Sequence, residues 1–225
     1  MDNANQRIID SREIWESRFD GLGKDNVRYN YEPWLARWLP LLETSRVIPL
    51  LDLGCGSGFD SRYLTGEGFS VIGADYCRTA LACANEVAPR ARKVQMDLRG
   101  SLPFPDAAFQ VIIANLCLHY FSGAETRAII EKIRRRLRIG GFLMARFNAK
   151  KDVHYGAEGH VEVEPGCCIV GGMLKHFFDS EDLKQLFRET WTIHGLEEMT
   201  IHCYSKPKVV WELVAEKKGA SPGFS

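Results

Sequence analysis

Residues 49–64 read PLLDLGCGSGFDSRYL, placing Gly54, Gly56 and Gly58 directly after an apolar run. Glycine weakens the interior of a helix or strand, so a cluster this dense belongs to a turn that needs its backbone freedom. The flanks say which turn. VIPLLDLG reads as a strand, and DSRYLTGEG reads as a helix that ends at glycine. The same rhythm continues downstream. SVIGADY is a strand, CRTALACANEVA a helix, KVQMDL and FQVIIANLC strands, AETRAIIEKIRRRLRIGG a helix with a glycine stop, and FLMARFN a further strand. Helical patterns between short apolar runs predict an α/β fold, a parallel sheet with helices on its faces.

Both ends of the chain depart from this rhythm. REIWESRF and EPWLARWLPLLE predict two amphipathic helices in an N-terminal segment, residues 1–45, that precedes a main domain over 46–216. Residues 149–178 form a polar, glycine-bearing insertion after the FLMARFN strand. DSEDLKQLFRET then has the N-cap and acidic first turn of a helix. HGLEEMTIHCYSKPKVVWELVAEKK predicts an antiparallel hairpin around a Lys-Pro turn, and 217–225 read as a flexible tail. No internal repeat is present.

Composition narrows the function. The chain has 225 residues, with Lys plus Arg at 29 balancing Asp plus Glu at 29. A neutral balance argues against a partner dominated by phosphate, such as bulk nucleic acid. The one dense basic run, EKIRRRLRIG, is accounted for as an exposed helix face. No apolar run has the length of a membrane span, and the N-terminus lacks a signal-peptide core. Seven cysteines without a C-x-x-C pair suit a reduced compartment, so the expectation is a cytoplasmic protein.

The glycine turn sits at the C-terminal edge of the first strand, where open α/β sheets bind ligands. Glycine there lets a ligand touch main chain, and the helix start behind it favours a polar or anionic group. Three carboxylates sharpen the choice of ligand. Asp52 stands before the first glycine. Asp75 ends the second strand, where it can accept from both hydroxyls of a ribose. Asp97 ends the third strand, near where an adenine edge would reach. Acceptors on three successive strand ends fit an adenosine lying across the sheet. Capping the turn remains open for Asp52, and capping a loop remains open for Asp97. No Lys-Ser/Thr follows the glycines, which argues against a nucleoside triphosphate.

In this order, LLDLGCGSG, VIGADY, KVQMDL, FQVIIANLCLHY and LRIGGFLMARFN resemble the successive motifs of class I S-adenosylmethionine-dependent methyltransferases. The nearest resemblance is to the small-molecule group called methyltransferase type 11, or tellurite-resistance-like. It covers residues 46–148 closely and 149–216 loosely. It implies a doubly wound, mostly parallel, seven-stranded Rossmann-like sheet of order 3-2-1-4-5-7-6 with the last strand antiparallel. It also implies S-adenosyl-L-methionine as cofactor. Asp52, Gly54, Gly56 and Gly58 would then shape the pocket for its methionine part. Asp75 would hold the ribose, Tyr76 would flank the adenine, and Asp97 and Leu98 would meet the adenine edge. Asn115 and Leu116 would border the methyl-transfer site.

Such a transfer is a direct displacement, in which the protein contributes mainly proximity and orientation. A general base is needed only for an acceptor that is protonated near pH 7. His119, after the fourth strand, is the candidate base, with packing as its rival role. Tyr31, His154, Tyr155 and His176 are candidate acceptor-binding residues. Trp15, Tyr29, Tyr31 and Trp34 are a candidate aromatic lid, with core packing as the rival. HYGAEGHVEVEPGCC is rich in histidine, glutamate and cysteine but matches no familiar zinc spacing, so no metal site is expected. The function expected is methyl transfer to the O, N, S or carboxylate of a small molecule. An RNA or protein methyltransferase and a non-catalytic cofactor-binding module stand as alternatives.

Overall fold

The structure, a computed structural model, describes residues 11–20 and 31–219; Tyr29 lies outside them. The chain begins with α1 (Ser11–Asp20), an interrupted segment containing α2 (Leu39–Leu42), and β1 (Leu50–Leu53). Then come α3 (Phe59–Gly66), β2 (Val71–Asp75), α4 (Arg78–Val87), β3 (Arg92–Gln95) and β4 (Phe109–Asn115). After α5 (Gly123–Arg136) and β5 (Leu137–Asn148), three short strands follow, β6 (Glu162–Glu164), β7 (Cys167–Val170) and β8 (Met173–His176). The chain closes with α6 (Ser180–Leu186), β9 (Trp191–Ile201) and β10 (Lys208–Lys217).

The main sheet has seven strands in the order β3-β2-β1-β4-β5-β10-β9. β1 to β5 pair in parallel, and β10 runs antiparallel to both β5 and β9. The expected 3-2-1-4-5-7-6 order is therefore met, with β9 and β10 as its sixth and seventh strands. β6, β7 and β8 pair with one another as a separate antiparallel sheet.

The apolar runs are continuous because helices cover both faces of a parallel sheet. Leu51, Leu53, Ile112 and Ala114 pack beneath α5 and α6 through Ile129, Ile133, Leu183 and Phe187. Their neighbours along the strands, Leu50, Val111 and Ile113, point the other way. There they meet Leu64 of α3 together with Trp34, Leu35 and Leu42. Burial of each large aliphatic or aromatic side chain here contributes about 1.5–3 kcal/mol.

Residues 31–45 are thus part of the core layer. The amphipathic pattern EPWLARWLPLLE is split into a 3-10 turn (Ala36–Trp38), the single turn of α2, and a second 3-10 turn (Glu43–Ser45). Pro40, which has no N–H to donate, stands at the start of α2. α5 also stops earlier than its glycines suggested. Arg135 O accepts from Ala107 N at 2.9 Å and Leu137 O from Lys217 Nζ at 2.6 Å, so the chain enters β5 before Gly140. The insertion is ordered around a Pro165-Gly166 turn, with Gly166 at φ +76°. Among the described residues, no helix is long and apolar enough to cross a membrane, and no group of three His, Cys, Asp or Glu side chains is arranged to hold a metal.

Candidate active site

A cavity of about 1130 Å³ opens at the C-terminal edge of β1, β2 and β4. Its floor is the glycine turn. Gly54 adopts φ +62°, and a Cβ there would overlap the Cys117 side chain, so the turn and the chain leaving β4 touch only because this residue is glycine. Gly56 faces the Phe19 ring of α1 across the cavity mouth. Gly58 does different work from that expected. It is buried and begins α3 in the left-handed region, and an added Cβ would lie 3.1 Å from Ala84 Cβ. It lets α3 pack on α4 and does not line the cavity.

Asp75, at the end of β2, lines the cavity and is braced by the main chain. Its Oδ2 accepts from Gly56 N at 3.0 Å and its Oδ1 from Cys77 N at 2.9 Å. Burial raises its pKa against these two bonds. Tyr76 and Leu98 line the same end. Asp97 lies two residues beyond β3 and also lines the cavity, while its carboxylate accepts from Arg99 N at 2.9 Å and pairs with the Arg99 guanidinium. Partial burial would raise its pKa, but Arg99 holds it below the ordinary value. Loop capping and cavity lining are thus combined in one residue.

Asp52 is buried, with Oδ2 accepting from Ser61 Oγ at 2.6 Å. Close to it stands a second buried carboxylate that sequence reading passed over. Asp60, in the first turn of α3, accepts from Tyr31 OH at 2.8 Å, Trp34 Nε1 at 3.0 Å and Asn115 Nδ2 at 2.8 Å. Burial raises the pKa of both carboxylates. For Asp52 the charge of Asp60 adds to the rise, and for Asp60 its three hydrogen bonds oppose it. An acidic residue in a first helical turn is ordinary complementation of the dipole, so Asp60 gave little signal. Tyr31 and Trp34 also belong here, as donors to a carboxylate beside the turn.

Asn115 ends β4 with its Oδ1 lacking a hydrogen-bond partner among the described residues. Leu116 follows at φ +55°, a strained position for a leucine, which turns the chain across the cavity. His119 is buried in the 3-10 turn beyond it and lines the cavity. Burial holds its pKa well below the ordinary value, and the charges of Lys208, Lys175 and His176 push the same way. Its imidazole is therefore neutral and a weak base.

The far end of the cavity comes from distant segments. Asn148 closes β5, Tyr155 lies on the insertion, Lys175 on β8, and Lys208 opens β10. The Tyr155 ring faces the cavity, while its hydroxyl is taken by the main chain of Lys206. His154 is exposed and away from the cavity. His176 points outward, stacked on Phe178 with ring centroids 3.9 Å apart, because alternation on β8 turns Lys175 inward instead. A count of histidines drew attention to the wrong neighbour.

α1 covers the opening. Ser11, Trp15, Arg18 and Phe19 line it, and Trp15 meets Tyr120 edge-on at 5.3 Å. No residue of α1 is buried. It is held partly by Glu16, whose carboxylate accepts from Arg78 N at 2.8 Å and Thr79 N at 3.0 Å at the start of α4. The Thr79 hydroxyl, donating to the same carboxylate at 2.7 Å, does most to lower the Glu16 pKa to about 2, and these amide bonds add to it.

The donor set fits S-adenosylmethionine. Four carboxylates face one end of an elongated cavity, matching a ligand with a cationic ammonium, a sulfonium and a ribose diol, and the Gly54 cradle leaves room for it against main chain. Comparison with known proteins agrees. A family model described as "Methyltransferase domain" matches residues 51–145. The 27-O-demethylrifamycin SV methyltransferase of Amycolatopsis mediterranei is 35% identical over 197 residues, covering 74% of this chain and 69% of that protein. A probable 18S rRNA (guanine-N(7))-methyltransferase of Dictyostelium discoideum is 26% identical over 165 residues, covering 68% of this chain and 56% of the relative. With other curated relatives, the match spans 32% to 43% of their length. Among solved structures, the Burkholderia thailandensis 1,6-didemethyltoxoflavin-N1-methyltransferase, bound to its substrate and S-adenosylhomocysteine, superposes with a TM-score of 0.65 at 17% identity, covering 97% of this chain and 94% of that one. This chain belongs to the class I S-adenosylmethionine-dependent methyltransferases.

Proposed function

We propose that the protein transfers a methyl group from S-adenosylmethionine to a small-molecule acceptor. The observation that carries this reading is one cavity lined both by the four-carboxylate edge and, beyond Asn115 and Leu116, by residues of α1, the insertion, β8 and β10, which make up its second chamber. S-adenosylmethionine, when bound, supplies a methyl carbon on a sulfonium, and an acceptor lone pair forms the new bond as the carbon–sulfur pair returns to sulfur.

The protein's own residues bind, orient and exclude water. Asp75 holds the ribose diol with the lone pairs not used by Gly56 N and Cys77 N. Asp52 and Asp60 supply negative charge for the ammonium at the glycine turn. Tyr76 and Leu98 supply apolar walls for the adenine, and Asp97 accepts at its edge. Leu116 and Asn115 would form the neck between the cofactor and the second chamber. α1 and residues 149–178 enclose that chamber, where holding reactants in line lowers the barrier by several kcal/mol. His119, held neutral and weakly basic, positions the acceptor more readily than it deprotonates it.

The rRNA relative favours a second reading, an RNA acceptor. Against it, the second chamber is covered by α1, and a folded RNA has to reach the methyl carbon. The test is calorimetric titration with S-adenosylhomocysteine, followed by a screen for its release over metabolites and structured RNA. Micromolar binding with turnover on metabolites supports the proposal. Turnover on RNA alone selects the second reading, and no binding on protein freed of carried-over ligand overturns both.

A further inference from the structure

The second chamber carries charge opposite to the first. Arg18 of α1 and Lys175 of β8 line it, and neither has an ion pair among the described residues. Lys208 lines it too, but its ammonium is already matched by the buried carboxylate of Asp152 at 2.6 Å. Among the described residues, Lys175 Nζ donates only to Tyr155 O, at 2.9 Å. At the back of the chamber, Asn148 is 0% exposed, and neither its Oδ1 nor its Nδ2 has a hydrogen-bond partner among the described residues. Leaving a buried amide unmatched carries its full desolvation penalty, and such a group calls for a ligand. Among the described residues, no carboxylate lines this end of the cavity other than Glu125, which is engaged in the Ser122 capping box of α5.

We propose, building on the reading above, that the acceptor is a small organic acid whose anionic oxygen is held by Asn148 Nδ2 and Lys175 Nζ, with Arg18 closing over it. Charge-assisted hydrogen bonds of this kind are the strong ones, and an anion is the occupant that satisfies both cations and the orphaned Nδ2 donor together. Burial and the charges of Lys208 and Arg18 lower the Lys175 pKa to about 8, a repulsion that an anion between them relieves. The weak basicity of His119 fits as well, because an acid arrives already deprotonated. The two ends then divide the work: the carboxylate edge takes the cationic cofactor, and the cation-bearing chamber takes an anion. Each end repels the other's ligand, which gives specificity through like-charge exclusion.

The experiment uses the full chain loaded with S-adenosylhomocysteine and pairs of probes matched in shape: benzoate with benzamide, cinnamate with cinnamamide, and a library of aliphatic mono- and dicarboxylates with their amides. Thermal shift and calorimetry read binding, and release of S-adenosylhomocysteine from S-adenosylmethionine reads turnover. Acids are expected to bind at least tenfold tighter than their amides. Lys175→Met and Arg18→Met should each remove most of that preference, while S-adenosylhomocysteine affinity stays within about twofold. Asn148→Asp, which puts a carboxylate where the acid would sit, should abolish acid binding. Amides bound as tightly as acids, no acid binding to the loaded protein, or an unchanged preference in Lys175→Met would each overturn the inference. Failure of S-adenosylhomocysteine to bind strikes the proposed function instead, and the two failures are read from separate titrations.

Discussion

The two ends of the cavity differ in how they are built. The cofactor end is made by strand termini and one tight turn, so Asp52, Gly54, Asp75 and Asn115 stand within a few residues of rigid sheet. The second chamber is assembled from α1, the 3-10 turn at Leu118–Tyr120, the insertion and β10. Each of those pieces reaches the site from a different part of the chain. A ligand common to a whole family is met by geometry the sheet imposes, and a variable ligand is met by segments free to change without disturbing that sheet.

The largest expected effect comes from breaking the rigid end. Gly54→Ala forces alanine into a left-handed conformation, at about 1–2 kcal/mol, and drives its Cβ into Cys117, a packing clash of about 1–3 kcal/mol. The melting temperature should drop by at least roughly 5 °C at roughly 2–4 °C per kcal/mol. Cofactor binding should be lost with it. A variant that melts and binds like the parent would show that the turn tolerates a side chain and that its rigidity is not what shapes this end.

Asp75→Ala should act on binding with less damage to the fold. Two hydrogen bonds from hydroxyls to a carboxylate, at about 1.5–3 kcal/mol each, predict a fall in cofactor affinity of at least tenfold by calorimetry. Acceptor preference should survive in whatever turnover remains. If acceptor preference shifts and cofactor affinity holds, the division between the two ends is wrong.

A pH series separates the ends by sign. Burial raises the pKa of Asp52, Asp60 and Asp75, so the cofactor-free protein holds protons that the unfolded chain releases above about pH 4. Their contribution to stability is therefore greatest at low pH and declines as pH rises through the raised values. A cationic ligand favours the ionised carboxylates and releases those protons. The thermal shift produced by S-adenosylmethionine should accordingly grow from pH 5 to pH 8. A shift independent of pH would mean that the carboxylates do not change state on binding.

The smallest effect belongs to the cover. Glu16→Ala removes the carboxylate that joins α1 to α4, an exposed contact whose loss should raise the cofactor dissociation rate by roughly two- to fivefold in stopped-flow measurements. Because α1 overhangs both ends, the acceptor KM should rise by a similar factor. An effect confined to one of them would assign α1 to that end alone.

The same contrast decided what could be read in the sequence. Glycine clustering and period-matched apolar runs are local signals that mark the strands and the carboxylates Asp52, Asp75 and Asp97 near their ends, while the strand order and Asn115 come from the resemblance. Lys175 and Asn148 gave no signal of their own. Asn148 is the last residue of a strand, and Lys175 is one of many lysines. Only the packing of β8 and β10 against the cavity gives them a role. His154 and His176 attracted notice for their chemistry, yet one is exposed and the other is turned away by strand alternation. Gly58 was legible as glycine but not as a helix-packing residue, since its neighbour Ala84 lies in the next helix.

One contact has a bearing on how the protein is made. Glu212, buried on β10, accepts from Arg37 at 2.6 Å and 2.9 Å and from Trp38 at 2.9 Å, and it pairs with the buried Arg146 at 2.9 Å. Arg146 in turn lies 4.7 Å above the Trp34 ring, beside the donors to Asp60. The segment that orders the carboxylate pair is therefore pinned by a residue about 175 positions further along. A ribosome delivers Glu212 long after Arg37 and Trp38. While the chain emerges, β1 to β5 can pair and the apolar side chains of residues 31–45 can pack on them, but Arg37 and Trp38 lack their Glu212 anchor until β10 slots in beside β5. The nascent enzyme is thus expected to reach full affinity for its cofactor only once β10 has been made and locks residues 31–45 into place.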